Sequence, residues 1–275
     1  MSHPPTIALN SGQQMPQLGF GVFQVPEDQA QRAVETALET GYRSIDTAAI
    51  YGNETGVGRA LAATGVPREE IFVTTKLWID HLGRDAARRG LEESLERLAL
   101  DRVDLFLLHW PAPATDSYLE AWQGLEDAVE AGLTSGIGVS NFLPEHLQRL
   151  QGLGGTLPAV NQIELHPALQ NRETVAANAR LGIATEAWSP LAQGAVLQEP
   201  AILDAAAAHD VSPAQAVLRW HLQRGNIVIP KSVTPTRIAE NFAVFGFELS
   251  DGEVASIDAL ERDGRTGPHP ADFNG

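Results

Sequence analysis

The chain contains no cysteine. That excludes a disulfide framework and any metal site built on thiolates. Basic residues are scarce. Nineteen Lys and Arg (19) stand against 35 Asp and Glu, for a formal net charge of −16. Such a field disfavours nucleic acid and anionic membranes as partners. No apolar run approaches the ~20 residues that a membrane-spanning helix needs. The opening stretch, MSHPPTIALN, lacks a basic region followed by an apolar one. No signal peptide is read there, and the expected location is the cytoplasm. No Ser/Gly-rich linker, low-complexity tract or solenoid-spaced repeat divides the chain. No HExxH-like cluster points to a metal. Asn53-Glu54-Thr55 matches a glycosylation acceptor, but without a secretion signal it is expected to be idle.

What is present is a long alternation. The 275 residues are 43% hydrophobic, enough for one large core over residues 1–275. Short β-like runs recur at Leu18–Phe23, Arg43–Thr47, Ile71–Lys76, Val103–His109, Ser135–Ser140, Ala159–Glu164, Ile183–Trp188 and Ile227–Pro230. Amphipathic helical patterns lie between them, among them Asp28–Thr40, Asp85–Leu98, Ser117–Ala131 and Pro213–Arg224. Ser212-Pro213-Ala214-Gln215 and Ser250-Asp251-Gly252-Glu253 read as capping boxes. Eight strand-then-helix units predict an α/β protein of the (β/α)8 TIM-barrel class, with two extra helices near the C-terminus. A doubly wound sheet is the competitor, but it advertises a glycine fingerprint after its first strand. Gly19-Phe20-Gly21 and Gly56-Val57-Gly58 both lack the third glycine. Thr6–Gln17 reads as a hairpin around Asn10-Ser11-Gly12 that plugs the N-terminal mouth of the barrel. Trp122 and Trp220 fall in helical patterns and are expected in the core.

Barrel active sites lie at the C-terminal ends of the strands. Asp46, Lys76 and His109 occupy such ends, and Tyr51 follows Asp46 after a short turn. A carboxylate, an ammonium, a phenol and an imidazole in one pocket can tune a tyrosine to give or take a proton. Each has a plainer reading alone. Asp46 suits a helix N-cap, Tyr51 a half-buried packing position, Lys76 a solvated charge and His109 a satisfied interior histidine. Together, and in this order, they favour catalysis.

The stretches GYRSIDTAAIYGNE, FVTTKLW, DLFLLHWP, GVSNF, NQIELHP and IPKSVTPTRIAEN occur in that order. Through them the chain resembles an aldo-keto reductase from Leu18 to the C-terminal helix. The short loops and the GVF of the first strand are most similar to bacterial 2,5-diketo-D-gluconate reductases. The resemblance implies NADPH-dependent reduction of aldehydes, ketones or keto sugar acids, with NADH less preferred. Tyr51 would be the proton donor. Lys76 would lower the phenol pKa from its free value of about 10. Asp46 would hold Lys76, and His109 would orient the carbonyl. A small carbonyl substrate is the only partner implied, and a monomer is the default.

The resemblance also assigns a cofactor site. Trp188 would stack on the nicotinamide, and Ser140, Asn141 and Gln162 would meet its carboxamide. Gly21 and Val22 line the first strand end. The loop Ser189-Pro190-Leu191-Ala192-Gln193-Gly194 would cover the pyrophosphate. Lys231, Ser232, Val233, Thr234 and Arg237 would receive the 2′-phosphate, with Glu240 and Asn241 near the adenine. Thr234 is expected to cap a helix opened by Pro235. Thr234 stands where relatives usually carry a basic residue, and Arg237 could instead pair with Glu240 along one helix face. Phe23, Trp78 and Trp110 would line the substrate pocket with His109. Short loops at 111–116 and 191–199 predict an open site. The tail Arg262–Gly275 either folds over that site or stays unordered. Two other classes fit parts of the pattern: a Schiff-base aldolase barrel using Lys76 or Lys231, and a silent cofactor-binding subunit.

Overall fold

The computed structural model describes residues 4–275. A two-stranded antiparallel hairpin, β1 (Thr6–Ala8) and β2 (Gln14–Pro16), comes first. Eight parallel strands follow in sequence order across one sheet: β3 (Phe20–Gly21), β4 (Ser44–Asp46), β5 (Phe72–Leu77), β6 (Leu105–Leu108), β7 (Ile137–Ser140), β8 (Val160–Glu164), β9 (Ala184–Trp188) and β10 (Ile227–Val228). A parallel bridge between Leu18 and Val228 joins the two edges. Gly19 N–H donates to Val228 O at 2.8 Å, and Gly21 N–H to Pro230 O at 3.1 Å. The barrel is therefore closed.

Glycine makes that seam possible. A Cβ at Gly21 would lie 3.0 Å from the Ile229 carbonyl, and one at Gly19 3.1 Å from the Ile229 and Ser44 side chains. The Gly-Phe-Gly run thus serves strand closure and not a phosphate turn. Gly56 and Gly58 also have packing roles, because a Cβ at Gly58 would fall 2.3 Å from Leu98 O.

The helices surround the sheet: α1 (Glu27–Thr40), α2 (Glu54–Ala63), α3 (Arg84–Leu98), α4 (Tyr118–Glu130), α5 (Pro144–Gln151), α6 (Arg172–Leu181), α7 (Pro200–Ala208), α8 (Pro213–Gln223), α9 (Pro235–Phe242) and α10 (Asp251–Asp258). In α1 the buried Ala30, Ala33, Val34, Ala37 and Leu38 follow the helical period, and Gly41, at φ 123°, ends the helix. Both capping boxes form, Ser212 with Gln215 and Ser250 with Glu253. α7 and α10 are the two helices added to the eightfold repeat, and they pack on each other. Trp122 and Trp220 are buried in the core.

Two apolar clusters divide the molecule. The larger one joins outward-facing strand residues such as Ile45, Val73, Phe106 and Val139 to the helices. The smaller one fills the barrel's lower interior with Phe72, Leu105, Leu107, Val160 and Ile227, closed from below by Leu9 and Met15 of the hairpin region. Asn10 and Gln13 fasten that plug through bonds to Pro158 O and Asp104 O, each 2.9 Å. Strand residues alternate faces. On the same inward rows Thr74 and Gln162 stand two residues beyond Phe72 and Val160, Lys76 follows Thr74, and Asp46 and Glu186 share this face. The interior changes from dry to polar along these rows.

Candidate active site

The four residues singled out from the sequence come together at the upper end of the barrel. Lys76 Nζ donates to Asp46 Oδ1 at 2.6 Å, to Thr47 O at 2.9 Å and to Tyr51 Oη at 3.3 Å. Lys76 is buried, and the Asp46 carboxylate is taken by Lys76 and Gln162 while Ala48 stands at the cap of the next turn, so neither the solvated lysine nor the N-cap aspartate applies. The short 3₁₀ turn Ala49–Tyr51 starts after Ala48 and swings Tyr51 over the ammonium, whose Nζ lies 5.0 Å from the ring centroid. The His109 ring meets the Tyr51 ring edge-on at 5.7 Å and the Trp78 ring at 5.2 Å.

The electrostatics correct one expectation. Burial raises the Tyr51 phenol above its ordinary value, and Asp46 and Glu186 add to that rise. Lys76 pulls in the expected direction but does not overcome them. The resting phenol therefore keeps its proton. Burial pulls Lys76 down, but the charges of Asp46 and Tyr51 outweigh it, and the ammonium is held above its ordinary range. A lysine so held does not suit Schiff-base chemistry. Lys231, the chain's other lysine, is exposed and has no apolar pocket. Burial, and then the nearby Lys76 charge, push His109 well below its ordinary value. The ring is neutral. Its Nδ1 is buried without a partner, which favours the tautomer with the hydrogen on Nε2.

Ser140, Asn141, Gln162 and Trp188 cluster beside this group, but they largely bond one another. Ser140 Oγ donates to Gln162 O at 2.8 Å. Asn141 Nδ2 donates to His109 O and to Ser140 Oγ, each at 3.0 Å, and Asn141 Oδ1 accepts from Trp188 Nε1 at 2.8 Å. Asn141 thus fixes the indole and the His109 backbone. Gln162 points its Nε2 into the barrel, toward Asp46 and Glu186. Val22 is fully buried and presents backbone only, its carbonyl accepting from Asn53. Asn53 itself is fully buried, which rules out glycan attachment there.

After β9 the backbone is unusual. Ser189, Ala192 and Gln193 have φ of 47°, 50° and 54°. Left-handed conformations in residues other than glycine cost energy and concentrate at functional loops. At the start of α9, Pro235 takes the first helical position, but the Thr234 hydroxyl makes no cap bond. Thr234 N–H instead donates to Ser232 Oγ at 3.1 Å. Lys231, Val233, Thr234 and Arg237 are exposed, Glu240 is half-buried and Asn241 is buried. Lys231 and Arg237 have no acidic partner within 4.0 Å among the described residues, so the Arg237–Glu240 pair does not form. Two free cations beside unbonded helix-start N–H groups, in so acidic a chain, fit an anion.

The tail folds over the barrel mouth. Glu164 at the top of β8 accepts from Thr266 N–H and Oγ, each at 2.6 Å, and from Gly267 N–H at 3.1 Å. Burial alone would raise the Glu164 carboxyl, but bonds from His166, Thr266 and Gly267 hold it below the ordinary range. A Cβ at Gly267 would stand 2.5 Å from the Trp188 ring. Phe273 packs on Trp110 at 4.3 Å and on Trp78 at 6.1 Å. Trp110, expected to line an open pocket, is only 7% exposed for this reason. Phe23, 53% exposed and 5.1 Å from the Tyr51 ring, marks the open side. Phe273, Glu164 and Glu186 were not legible as site residues. Their strand positions or distance in sequence gave no motif.

Residues 17–262 match the model of the Aldo/keto reductase family. An aldo-keto reductase of Mycolicibacterium smegmatis is 52% identical over 270 residues, covering 98% of both chains. Methylglyoxal reductase DkgA of Escherichia coli is 51% identical over 277 residues, covering 100% of both. Among solved structures, a variant of Gox0644 in complex with NADPH superposes with a TM-score of 0.95 at 45% identity, covering 99% of both chains. The chain belongs to the aldo/keto reductase family. It is an oxidoreductase acting on carbonyls.

Proposed function

We propose that this protein reduces small aldehydes and ketones to alcohols with NADPH, and that Tyr51 supplies the proton. The buried contact of Lys76 with both Asp46 and Tyr51 carries that reading. The carbonyl oxygen would sit between Tyr51 Oη and the neutral His109 ring. His109 orients it with its single N–H. When bound, the dihydronicotinamide provides the hydride. Tyr51, still protonated at rest, releases its proton as negative charge appears on the substrate oxygen. Lys76, held by Asp46 and Thr47 O, then faces the new phenolate from a fixed position, so no reorganisation is needed.

The residues present fit the cofactor. Lys231 and Arg237 are free to receive the 2′-phosphate with Ser232, Val233 and Thr234, and Glu240 and Asn241 lie on the helix beside them. The strained loop 189–194 would cover the pyrophosphate, and Trp188, locked by Asn141, offers its face to the nicotinamide. Gly21, Val22, Ser140, Asn141 and Gln162 complete that wall. The relative named a methylglyoxal reductase favours 2-oxoaldehydes, and the exposed side near Phe23 leaves room for keto sugar acids. We further read the protein as a single-domain cytoplasmic monomer; no described helix is long and apolar enough to span a membrane.

Tyr51→Phe tests the central role. Carbonyl reduction falls to near background while NADPH still quenches tryptophan fluorescence with the parent affinity. Full turnover in that variant would sink the assignment.

A further inference from the structure

Glu186 is assigned no step in the reaction proposed above. It lies on β9 inside the barrel, two residues below Trp188, with no exposed surface. Gln162 Nε2 stands 2.8 Å from Glu186 Oε2 and 2.8 Å from Asp46 Oδ2. A continuous hydrogen-bonded row therefore crosses the barrel: Tyr51, Lys76, Asp46, Gln162, Glu186.

The charges along this row are unequal in number. Two carboxyls share one ammonium. The three hydrogens of Lys76 go to Asp46, Thr47 O and Tyr51, so none is left for Glu186. Facing Glu186 are Asp46 from β4 and Lys76 from β5, with Tyr51 beyond them. The flanking strands offer only the neutral Gln162 on β8 and the apolar Ile227 and Val228 on β10. Above, Glu164 is already engaged with His166 and the tail. A buried carboxylate with no cation of its own is costly, and it ordinarily takes up a proton instead. Burial, then the Asp46 charge, push Glu186 up to about 8, in the same direction. Because Gln162 donates to Oε2, the acid hydrogen belongs on Oε1, which has no partner.

We propose that Glu186 works as a neutral carboxyl, a positioning residue that holds the Gln162 amide against Asp46 without placing a second negative charge beside Lys76. Ionised, it would compete with Tyr51 for the influence of Lys76 and make the phenol a poorer acid. Asp46 alone then governs the lysine only while Glu186 keeps its proton. This extends the role given to Tyr51 and rests on it.

The test uses Glu186→Gln and Glu186→Ala in the full chain. Glutamine copies a neutral carboxyl in shape and in its donor and acceptor. It should fold, keep the parent kcat at pH 7 and lose the fall in kcat expected of the parent as pH rises through about 8. Alanine leaves a Gln162 hydrogen unmet and should lower kcat about tenfold with KM little changed. In infrared spectra the parent at pH 7 should show a protonated-carboxyl C=O stretch that fades through the same pH range and is missing from Glu186→Gln. The proposal is overturned if Glu186→Gln is as impaired as Glu186→Ala, fails to fold, or keeps the alkaline fall, or if no such band exists. Turnover by Tyr51→Phe would remove the catalytic role of the phenol yet leave the infrared result standing, so the two failures are distinguishable.

Discussion

Lys76 and Asp46 meet at 2.6 Å with side chains 0% and 3% exposed. Two opposite charges placed so deep are tolerated only as a pair. Lys76→Met should therefore destabilise the protein by about 3–5 kcal/mol, the penalty of an orphaned buried carboxylate. The same change should lower kcat by about 10²–10⁴-fold, since the phenol loses its positioned neighbour. Urea unfolding and steady-state assays check both. A variant as stable as the parent would mean that Asp46 finds another partner or a proton.

The free cations at the start of α9 make a separate prediction about the cofactor. Lys231→Met with Arg237→Met should weaken NADPH binding by about tenfold or more, through lost charge-assisted bonds, and NADH binding far less. Parallel fluorescence titrations with the two nucleotides measure the ratio. Equal weakening would place the 2′-phosphate elsewhere.

Phe273 offers a way to disturb the pocket without touching the proton donor. Its contacts with Trp110 and Trp78 are aromatic only. Phe273→Ala should raise KM for small carbonyls by about three- to tenfold, the worth of one aromatic contact, and leave the NADPH Kd alone. An unchanged KM across aldehydes of different size would show that the tail plays no part in binding them.

Stability against pH carries two opposed signatures. Glu186 is raised when folded, so the unfolded chain releases its proton first. Its contribution is full below the ordinary carboxyl range and is lost as pH rises toward about 8. Glu186→Gln should accordingly gain on the parent by on the order of 3 kcal/mol between pH 5 and about 7.5. His221 is pushed the other way, to about 3, chiefly by burial. The unfolded chain then takes up the proton first, and stability is lost as pH falls below about 6.5. Relative to His221→Gln, the parent should lose about 2 kcal/mol between about pH 6.5 and 5. Denaturant titrations across the range resolve both slopes.

Much of this was visible in the residues themselves. The alternation of β-like runs and helical patterns fixed eight units, because parallel strands and amphipathic helices leave different periods. Element ends shifted by one or two positions, as with α1 starting at Glu27 in place of Asp28. Asp46, Lys76 and His109 could be found because each breaks an apolar run at a strand end. Glu186 could not. It sits mid-strand in Ala-Thr-Glu-Ala-Trp, where nothing local separates an inward glutamate from an outward one, and its meaning comes from Gln162 and Asp46 on other strands. The sign of the Tyr51 shift was also out of reach. It depends on how far burial outweighs one ammonium, which only packing decides. Thr234 shows the opposite error: Pro235 takes the first helical position as the local signal reads, but the Thr234 hydroxyl makes no cap bond.

The seam between Leu18 and Val228 has a consequence for biogenesis. Its two sides are made far apart in time, ~10–40 s at a translation rate of about 5–20 residues per second. Until the last strand emerges, the nascent sheet has two bare edges, and Gly19 and Gly21 lack the Ile229 contact that closes the seam. Completion of the barrel is thus a late, long-range event, and the emerging polypeptide is a natural client for holding chaperones before release from the ribosome.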